Sequence, residues 1–297
     1  MKIKYENKRF QPESLRLIGI ADSICTEYDK QGLNLTLRQL YYQFVARDII
    51  ENNLHSYKRL QKLISNARLA GLIDWSAIVD RTRNLQTHPS WYNPRSIIQS
   101  AAESFRVDPW DDQEYLVQAW VEKDALLGVM ERAVASYRLP YFSCRGYVSQ
   151  SEIHDAALRL KQEDREVIIL HLGDHDPSGV DMTRDMQDRF TKFGATNVTF
   201  RRIALTMEQV QELNPPPNPT KITDSRAKGY ISEFGHESWE LDALTPNYIV
   251  DLVDEKALDF VDLNAWEISL AEEETHRANL AKLSDNYGGV VNYINSI

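Results

Sequence analysis

Acidic side chains follow two apolar stretches that have the composition of buried strands. Residues 166–172 (EVIILHL) lead into Asp174 and Asp176, and residues 115–121 (YLVQAWV) lead into Glu122. Because parallel strands end at the same edge of a sheet, we expect the three carboxylates to meet there. Carboxylate oxygens are the ligands that Mg²⁺ prefers. The alternatives are a helix cap and a solvated acid for Asp174 and Asp176, and a helix-start acid for Glu122.

The neighbouring residues place Asp174 and Asp176 on a strand-to-helix loop. Gly173 permits a tight exit from the strand, and Pro177 suits the first turn of a helix. Ligands of open α/β folds usually bind at such loops, so this position favours a binding role for the two aspartates.

A pair of adjacent tyrosines offers a nucleophile. Thr36 has the character of an N-cap, and the residues after it (LRQLYYQFVARDII) have helical apolar spacing. At 100° per residue, Tyr41 falls on the apolar stripe and Tyr42 about 140° from its start, so we expect Tyr41 in the core. Tyr42 is predicted to project outward, with Arg38 one turn earlier on the same side. The alternative role for Tyr42 is a surface residue or a simple phosphate contact.

The N-terminal region has the element order of a DNA-binding domain. Residues 13–27 and the segment after Thr36 predict two helices, and residues 56–73 predict a third with a basic outer face. Residues 75–83 are short and β-leaning. This order is that of a winged helix-turn-helix, which reads double-stranded DNA with one helix in the major groove. The predicted outward cations are Lys58, Arg59, Lys62 and Arg68.

Charge and composition narrow the class of protein. The net charge is −10, but residues 1–100 carry 15 Lys and Arg against 9 Asp and Glu, whereas residues 101–297 carry 19 against 35. This division assigns polyanion contact to the first part, unless it is chance surface variation. No apolar run approaches the ~18 residues that cross a bilayer. With no signal-peptide core, the expected location is the bacterial cytoplasm, or the host cytoplasm for a phage-encoded protein.

The second part of the chain predicts an α/β domain. Strands and helices alternate as βαβαβαβ between residues 115 and 203, which indicates a parallel sheet covered by helices. The remainder is predominantly helical, and residues 84–113 read as an irregular linker with one short helix. We therefore predict two domains, residues 1–100 and 101–297. Cys25 and Cys144 are too few for a disulfide framework or a thiolate site.

Several motifs together resemble a known family. The stretches VEKDAL, RGYVSQSE and LGDHDPSG resemble, in this order, the Toprim metal domain. With WELDAL and TLRQLYY they are similar to the type IIB topoisomerase VI A-subunit family, which includes the meiotic double-strand-break protein. The match covers residues 33 to 260, and the chain is closest to the small stand-alone Mini-A versions of phages, plasmids and bacteria.

The resemblance implies a reaction and roles for particular residues. Tyr42 matches the family's nucleophile, and Arg38 its arginine. Glu122, Asp174 and Asp176 match the metal-binding acids, so the implied activity is Mg²⁺-dependent DNA strand cleavage through a 5′-phosphotyrosyl link. The family works as a homodimer in which the tyrosine of one subunit meets the metal site of the other.

Other expectations concern contacts around that site. Lys123 is expected to contact phosphate or to be solvated, and Arg145 to lie on a loop near the DNA. His171 and His175 are expected to be core and loop residues, because an all-oxygen site does not need imidazole. The short N-terminus puts the family's GHKL-type ATPase partner in doubt, and no membrane partner is expected.

Two alternatives to tyrosine chemistry stay open. One is a Toprim nuclease in which a metal-activated water cuts DNA, as in defence systems or mobile elements. The other is a DNA-binding dimer without catalysis, in which the acids serve only structure.

Overall fold

The computed structural model describes residues 2–79 and 88–297. The chain divides into two compact units, the first over Met1–Arg83 and Val117–Ala257 and the second over Asn84–Leu116 and Leu258–Ile297. The boundary predicted at residue 100 thus falls inside the second unit. Residue 100 belongs to the second unit because the C-terminal helix at residues 263–285 packs against the helix at residues 94–104.

The described residues are rich in helix and contain one main sheet. The helices are, in chain order, α1 Pro12–Asp29, α2 Leu37–Ala46, α3 Leu54–Leu69, α4 Pro94–Ser104, α5 Leu127–Ala133, α6 Gln150–Leu160, α7 Pro177–Lys192, α8 Met207–Leu213, α9 Ala227–Phe234, α10 Pro246–Leu258, α11 Leu263–Asp285 and α12 Tyr287–Ile294. The strands are β1 Tyr115–Val121, β2 Tyr141–Ser143, β3 Glu166–Leu172, β4 Val198–Ala204, β5 Asn218–Pro219 and β6 Glu237–Ser238. None of these helices has both the length and the apolar character that a membrane crossing demands.

Helices α1, α2 and α3 surround an apolar core in the first unit. Thr36 caps α2, as its sequence predicts, and does so in a reciprocal capping box with Gln39, while Asn53 caps α3. Leu40 and Phe44 are fully buried between the helices. Helix α2 ends at Ala46, although its predicted range continued to residue 50. Residues 47–50 form turns and bends instead.

The predicted β wing is not seen in its described part. Residues 75–79 form turns with one isolated bridge, Leu35 to Ile78, because the Asp74 carboxylate accepts the Ser76 N–H at 2.9 Å and closes the backbone there. Residues 80–83 of the predicted wing lie outside the described residues.

The predicted parallel sheet is confirmed. Its strand order is β2-β1-β3-β4, and β1 pairs with β2 and β3 with β4 in parallel. Strand β3 is buried on both faces from Val167 to Leu172, as its continuous apolar run predicts. Central strands β1 and β3 are neighbours, so the segments that follow them leave the sheet side by side.

The second unit is built on the pairing of α4 with α11. Trp110 and Trp266 are buried and meet edge to face with ring centroids 5.6 Å apart. The buried Glu273 carboxylate accepts the Val107 N–H at 3.1 Å, which satisfies a charge in this interior.

Candidate functional site

The carboxyl edge of the sheet brings two of the predicted acids into contact. The Glu122 N–H donates to the Leu172 carbonyl at 2.8 Å, and the Asp174 N–H donates to Glu122 Oε2 at 2.8 Å. Both side chains are more than nine-tenths buried. Burial, and then the neighbouring charge of Asp174, raise the pKa of Glu122 to about 7. The expectation that acids from β1 and β3 meet is therefore confirmed for this pair.

Asp174 and Asp176 have different local roles. Asp174 Oδ1 accepts the Leu241 N–H at 2.8 Å, and its Oδ2 lies 2.8 Å from the Lys123 ammonium. Asp176 is the N-cap of α7, where its Oδ1 accepts the N–H groups of Ser178 and Gly179. The capping alternative thus applies to Asp176, while Asp174 is held by a cation and a backbone amide.

A close backbone approach holds the loop between these aspartates. A Cβ atom at Gly179 would lie 2.2 Å from the Asp174 carbonyl oxygen, and one at Gly173 would lie 3.0 Å from Glu122 Oε2. The half-buried Arg202 guanidinium donates to the carbonyls of Asp174 at 2.6 Å and Gly179 at 2.8 Å. Gly173, Gly179 and Arg202 together hold the loop against the end of β4.

The donor chemistry suits a hard cation, but the carboxylates do not form one ligand set in this conformation. Within residues 2–79 and 88–297, no three His, Cys, Asp or Glu side chains are arranged to hold a metal ion. The physical reason is that Lys123 already neutralises Asp174, and Asp176 is turned into its helix cap.

His171 in strand β3 and His175 in the loop after it are interior residues. His171 and His175 are almost fully buried, and each Nδ1 is hydrogen-bonded at 2.7 Å, to the hydroxyls of Thr183 and Tyr230 respectively. Burial lowers the pKa of His171 to about 3 and that of His175 to about 4, so both rings are neutral at pH 7.

The WELDAL segment completes the site. A two-hydrogen-bond bridge between His175 and Trp239 lays the segment alongside the Asp174 loop. Glu240 and the fully buried Asp242 then face Lys123, whose ammonium lies 2.9 Å from Glu240 and 3.2 Å from Asp242. The predicted solvated state of Lys123 is wrong, because these carboxylates and Asp174 surround its ammonium. Burial opposes the charge, but the carboxylates raise the pKa of Lys123.

Helix α2 docks on the same segment through Arg38. The Arg38 guanidinium forms salt bridges with Glu240 and, at 3.2 Å, with Asp242. Arg38 in the N-terminal helices and the carboxylates beside the sheet are thus in contact within one chain.

The predicted outward position of Tyr42 is wrong. Its side chain is 3% exposed, because α2 packs on α1 and α3 with one face and on the turn at Leu241–Ala243 with another. Burial, and then the negative charge of Glu240, raise the pKa of the Tyr42 phenol, and hydrogen bonding to Glu240 raises it further. Tyr42 is therefore a protonated and covered phenol in this conformation. Tyr41 lies in the core as predicted, and its hydroxyl donates to Asn52 at 3.0 Å.

The predicted DNA-contacting cations differ in exposure. Lys58, Arg59 and Lys62 are exposed on α3, and Arg145 is exposed and pairs with Asp124 at 2.7 Å. Arg68 does not project outward as predicted. Its guanidinium stacks 4.5 Å from the Trp75 ring centroid and donates to the Trp75 carbonyl at 2.8 Å, so it packs against its own domain.

Sequence reasoning did not single out Glu240, Asp242 and Arg202. The available signals were the acids of the WELDAL segment and Arg202 in strand β4. In both stretches, charged side chains interrupt apolar residues. The chain matches no family model and no curated protein.

Proposed function

We propose that the protein cleaves DNA by attack of Tyr42 on a backbone phosphate, in a Mg²⁺-dependent reaction carried out by a homodimer. The observation that carries the proposal is the convergence of Tyr42, Arg38 and Lys123 on the Glu240 carboxylate. This convergence lies beside the edge that holds Glu122 and Asp174. In this proposal the N-terminal helices act as a winged helix-turn-helix and the sheet as a Toprim domain.

The side chains have chemically distinct roles in the proposed step. Arg38 and Lys123 bind the oxygens of the scissile phosphate, since both are cations with several donors. The Tyr42 phenol gives its proton to solvent, and its oxygen forms a bond to phosphorus as the bond to the 3′ oxygen breaks and the departing 3′ oxygen takes up a proton from solvent. The products are a 5′-phosphotyrosyl link and a free 3′ hydroxyl.

A divalent cation has defined ligands in the proposed site. Glu122, Asp174 and Asp176 would hold Mg²⁺, which supplies positive charge for the phosphate and for the departing 3′ oxygen when it is bound. Lys123 transfers from Asp174 to the phosphate when the metal site forms.

The conformation seen here corresponds to a resting state. Burial opposes its charge, but Lys123 and Arg38 hold the pKa of Glu240 at about 2, so this carboxylate is a poor acceptor for the phenolic proton. The raised pKa of Tyr42 likewise keeps its phenol protonated in this conformation. Activity therefore requires Glu240 to release Tyr42 and Arg38.

Covalent capture tests the proposal. The protein is incubated with supercoiled plasmid and Mg²⁺, the reaction is stopped with detergent, and the 5′ ends are analysed for attached protein. Tyr42→Phe should abolish the adduct, whereas the matched variant Tyr41→Phe should retain it. Cleavage that survives unchanged in Tyr42→Phe would exclude the tyrosyl mechanism.

A metal-activated nuclease is the second candidate, and the burial of Tyr42 favours it. In that case the cut DNA carries no protein, and Tyr42→Phe cuts like the wild type. Asp174→Asn and Asp176→Asn should both lose cutting, because the acids alone would serve the chemistry.

A third candidate is a DNA-binding dimer without catalysis. It is favoured by the ion pairs of Lys123 with Asp174 and Glu240 and of Arg38 with Asp242, which give these acids a structural role. Binding should then persist in EDTA, and neutralising Lys58, Arg59 and Lys62 should reduce its salt dependence. Cleavage that depends on added metal would exclude this candidate.

A further inference from the structure

A cavity of about 390 Å³ lies beside Tyr42 in the first unit. Its walls come from α2, from the start of α3 and from residues 218–221, and Glu240 lies among its lining residues. The volume falls within the ~300–1,000 Å³ of typical small-molecule sites. The cavity is therefore large enough for part of a nucleotide strand at the proposed nucleophile.

The cavity wall carries donor groups besides Arg38. Lys221 is exposed and forms no salt bridge in the described part of the chain. The half-buried Asn218 side chain lies beside the Tyr42 phenol. Asn218 Oδ1 accepts from Asn52 at 2.7 Å, which directs the amide group. A cation and an amide N–H donor suit a sugar-phosphate chain.

Aromatic side chains form the remaining wall. The rings of Tyr41 and Tyr57 meet edge to face with centroids 5.3 Å apart, and Tyr41 meets Tyr42 at the same distance. A cavity that combines aromatic carbon with donor groups suits the sugar and base of a nucleotide better than a bare ion.

Glu240 occupies an anion position at the inner end of the cavity. Its Oε2 is shared by the Arg38 guanidinium and, at 2.9 Å, by the Lys123 ammonium, and the Tyr42 hydroxyl hydrogen-bonds to the same carboxylate. Two cations on one carboxylate oxygen, with a hydroxyl on the same carboxylate, form an environment that a phosphate group also prefers.

We propose that this cavity binds a phosphodiester of a DNA strand and that the Glu240 carboxylate holds the phosphate position in the free protein. The entering phosphate displaces Glu240 from Arg38 and Lys123, and Lys221 and Asn218 bind the adjoining sugar-phosphate. The assignment rests on the proposed function, because it needs DNA as the ligand. Beyond the proposed function, it assigns binding roles to Lys221 and Asn218 and makes Glu240 a competitor of the bound phosphate.

Two substitutions with opposite expected signs test this assignment. Lys221→Met should weaken DNA binding about eightfold at roughly 0.1 M salt, as expected when one phosphate contact is lost, and should lower the salt slope by about one. Glu240→Gln should tighten binding by a similar factor, because the competing anion is gone. Lys228→Met removes an exposed lysine of α9 and should leave binding unchanged.

Binding is measured by fluorescence anisotropy of a labelled duplex in EDTA, with Tyr42→Phe in the background of every variant so that no cleavage occurs. Circular dichroism checks the fold of each variant. If Glu240→Gln does not fold, Glu240→Asp serves in its place, since a shorter carboxylate should compete less and tighten binding in the same direction.

The outcomes separate this inference from the proposed function. Absence of DNA binding by every protein overturns both. Binding that responds equally to Lys221→Met and Lys228→Met, or that Glu240→Gln weakens, overturns the cavity assignment alone. Inorganic phosphate added as a competitor should not displace the labelled duplex at an equal concentration of phosphate groups. Equal competition would overturn the assignment to a DNA strand.

Discussion

Replacing Gly179 with alanine should distort the acidic loop without changing any charge. A Cβ atom at this position would lie 2.2 Å from the backbone carbonyl oxygen of Asp174 and 3.1 Å from Glu122 Oε2. Because the nearest atom belongs to the backbone, it cannot turn away as a flexible side chain would. The loop and the start of α7 must therefore move apart.

The structure sets the size of the expected effect. Forcing one extra carbon into a packed interior costs about 1–3 kcal/mol of unfolding free energy, and a backbone neighbour places Gly179→Ala at the upper end. For a unit of this size each kcal/mol corresponds to about 2–4 °C of melting temperature. The same shift should weaken the 2.8 Å hydrogen bond from the Asp174 N–H to Glu122.

Thermal unfolding and amide hydrogen exchange measure both effects. The matched control is Gly229→Ala in α9, where no atom lies within 4 Å of the new Cβ. That change should be neutral or stabilise by about 0.4–1 kcal/mol, because alanine restricts the unfolded chain. Exchange at the Asp174 amide should accelerate in Gly179→Ala and stay unchanged in Gly229→Ala.

One result would refute the reasoning. If Gly179→Ala melts with the wild type and keeps the protection of the Asp174 amide, the close approach at the start of α7 does not hold the acidic loop in place.

Two further changes test the charges of the site. Lys123→Met should cost about 3–5 kcal/mol of unfolding free energy in EDTA, because it leaves the buried Asp174 carboxylate without its cation, and added Mg²⁺ should restore part of it in thermal melts; no loss would show that the lysine network is dispensable. His171 stays neutral when folded, since burial holds its pKa at about 3, but it gains a proton below pH 6.5 when unfolded. Its contribution to stability is present above pH 6.5 and is lost as the pH falls, at about 1.4 kcal/mol per unit. Denaturant titrations should therefore show the stability gap between wild type and His171→Leu narrowing by about 2 kcal/mol from pH 6.5 to 5, and a constant gap would contradict the assigned pKa.

Local patterns predicted the main elements correctly. The apolar run of β3 and the exit at Gly173 predicted a buried strand followed by a helix, and the N-cap character of Thr36 predicted the start of α2. These features depend on neighbouring residues, so the linear sequence contains the information. The meeting of Glu122 with Asp174 was also predictable, because adjacent parallel strands end at one edge.

Burial at contacts between distant segments could not be predicted in this way. The apolar stripe of α2 identifies one buried face, but the turn at Leu241–Ala243, which is far away in the sequence, covers Tyr42. Likewise, the return of α11 onto α4 moved the unit boundary away from residue 100.

Sequence periodicity and turn chemistry were thus sufficient for a parallel α/β sheet with an acidic carboxyl edge, since they act over a few residues. The pairing of Arg38 with Glu240, 202 residues apart, and the enclosure of Lys123 by three carboxylates depend on the folded chain. Charge interactions act through space and not along the chain, so the state of Tyr42, covered and protonated beside Glu240, follows from the three-dimensional arrangement alone.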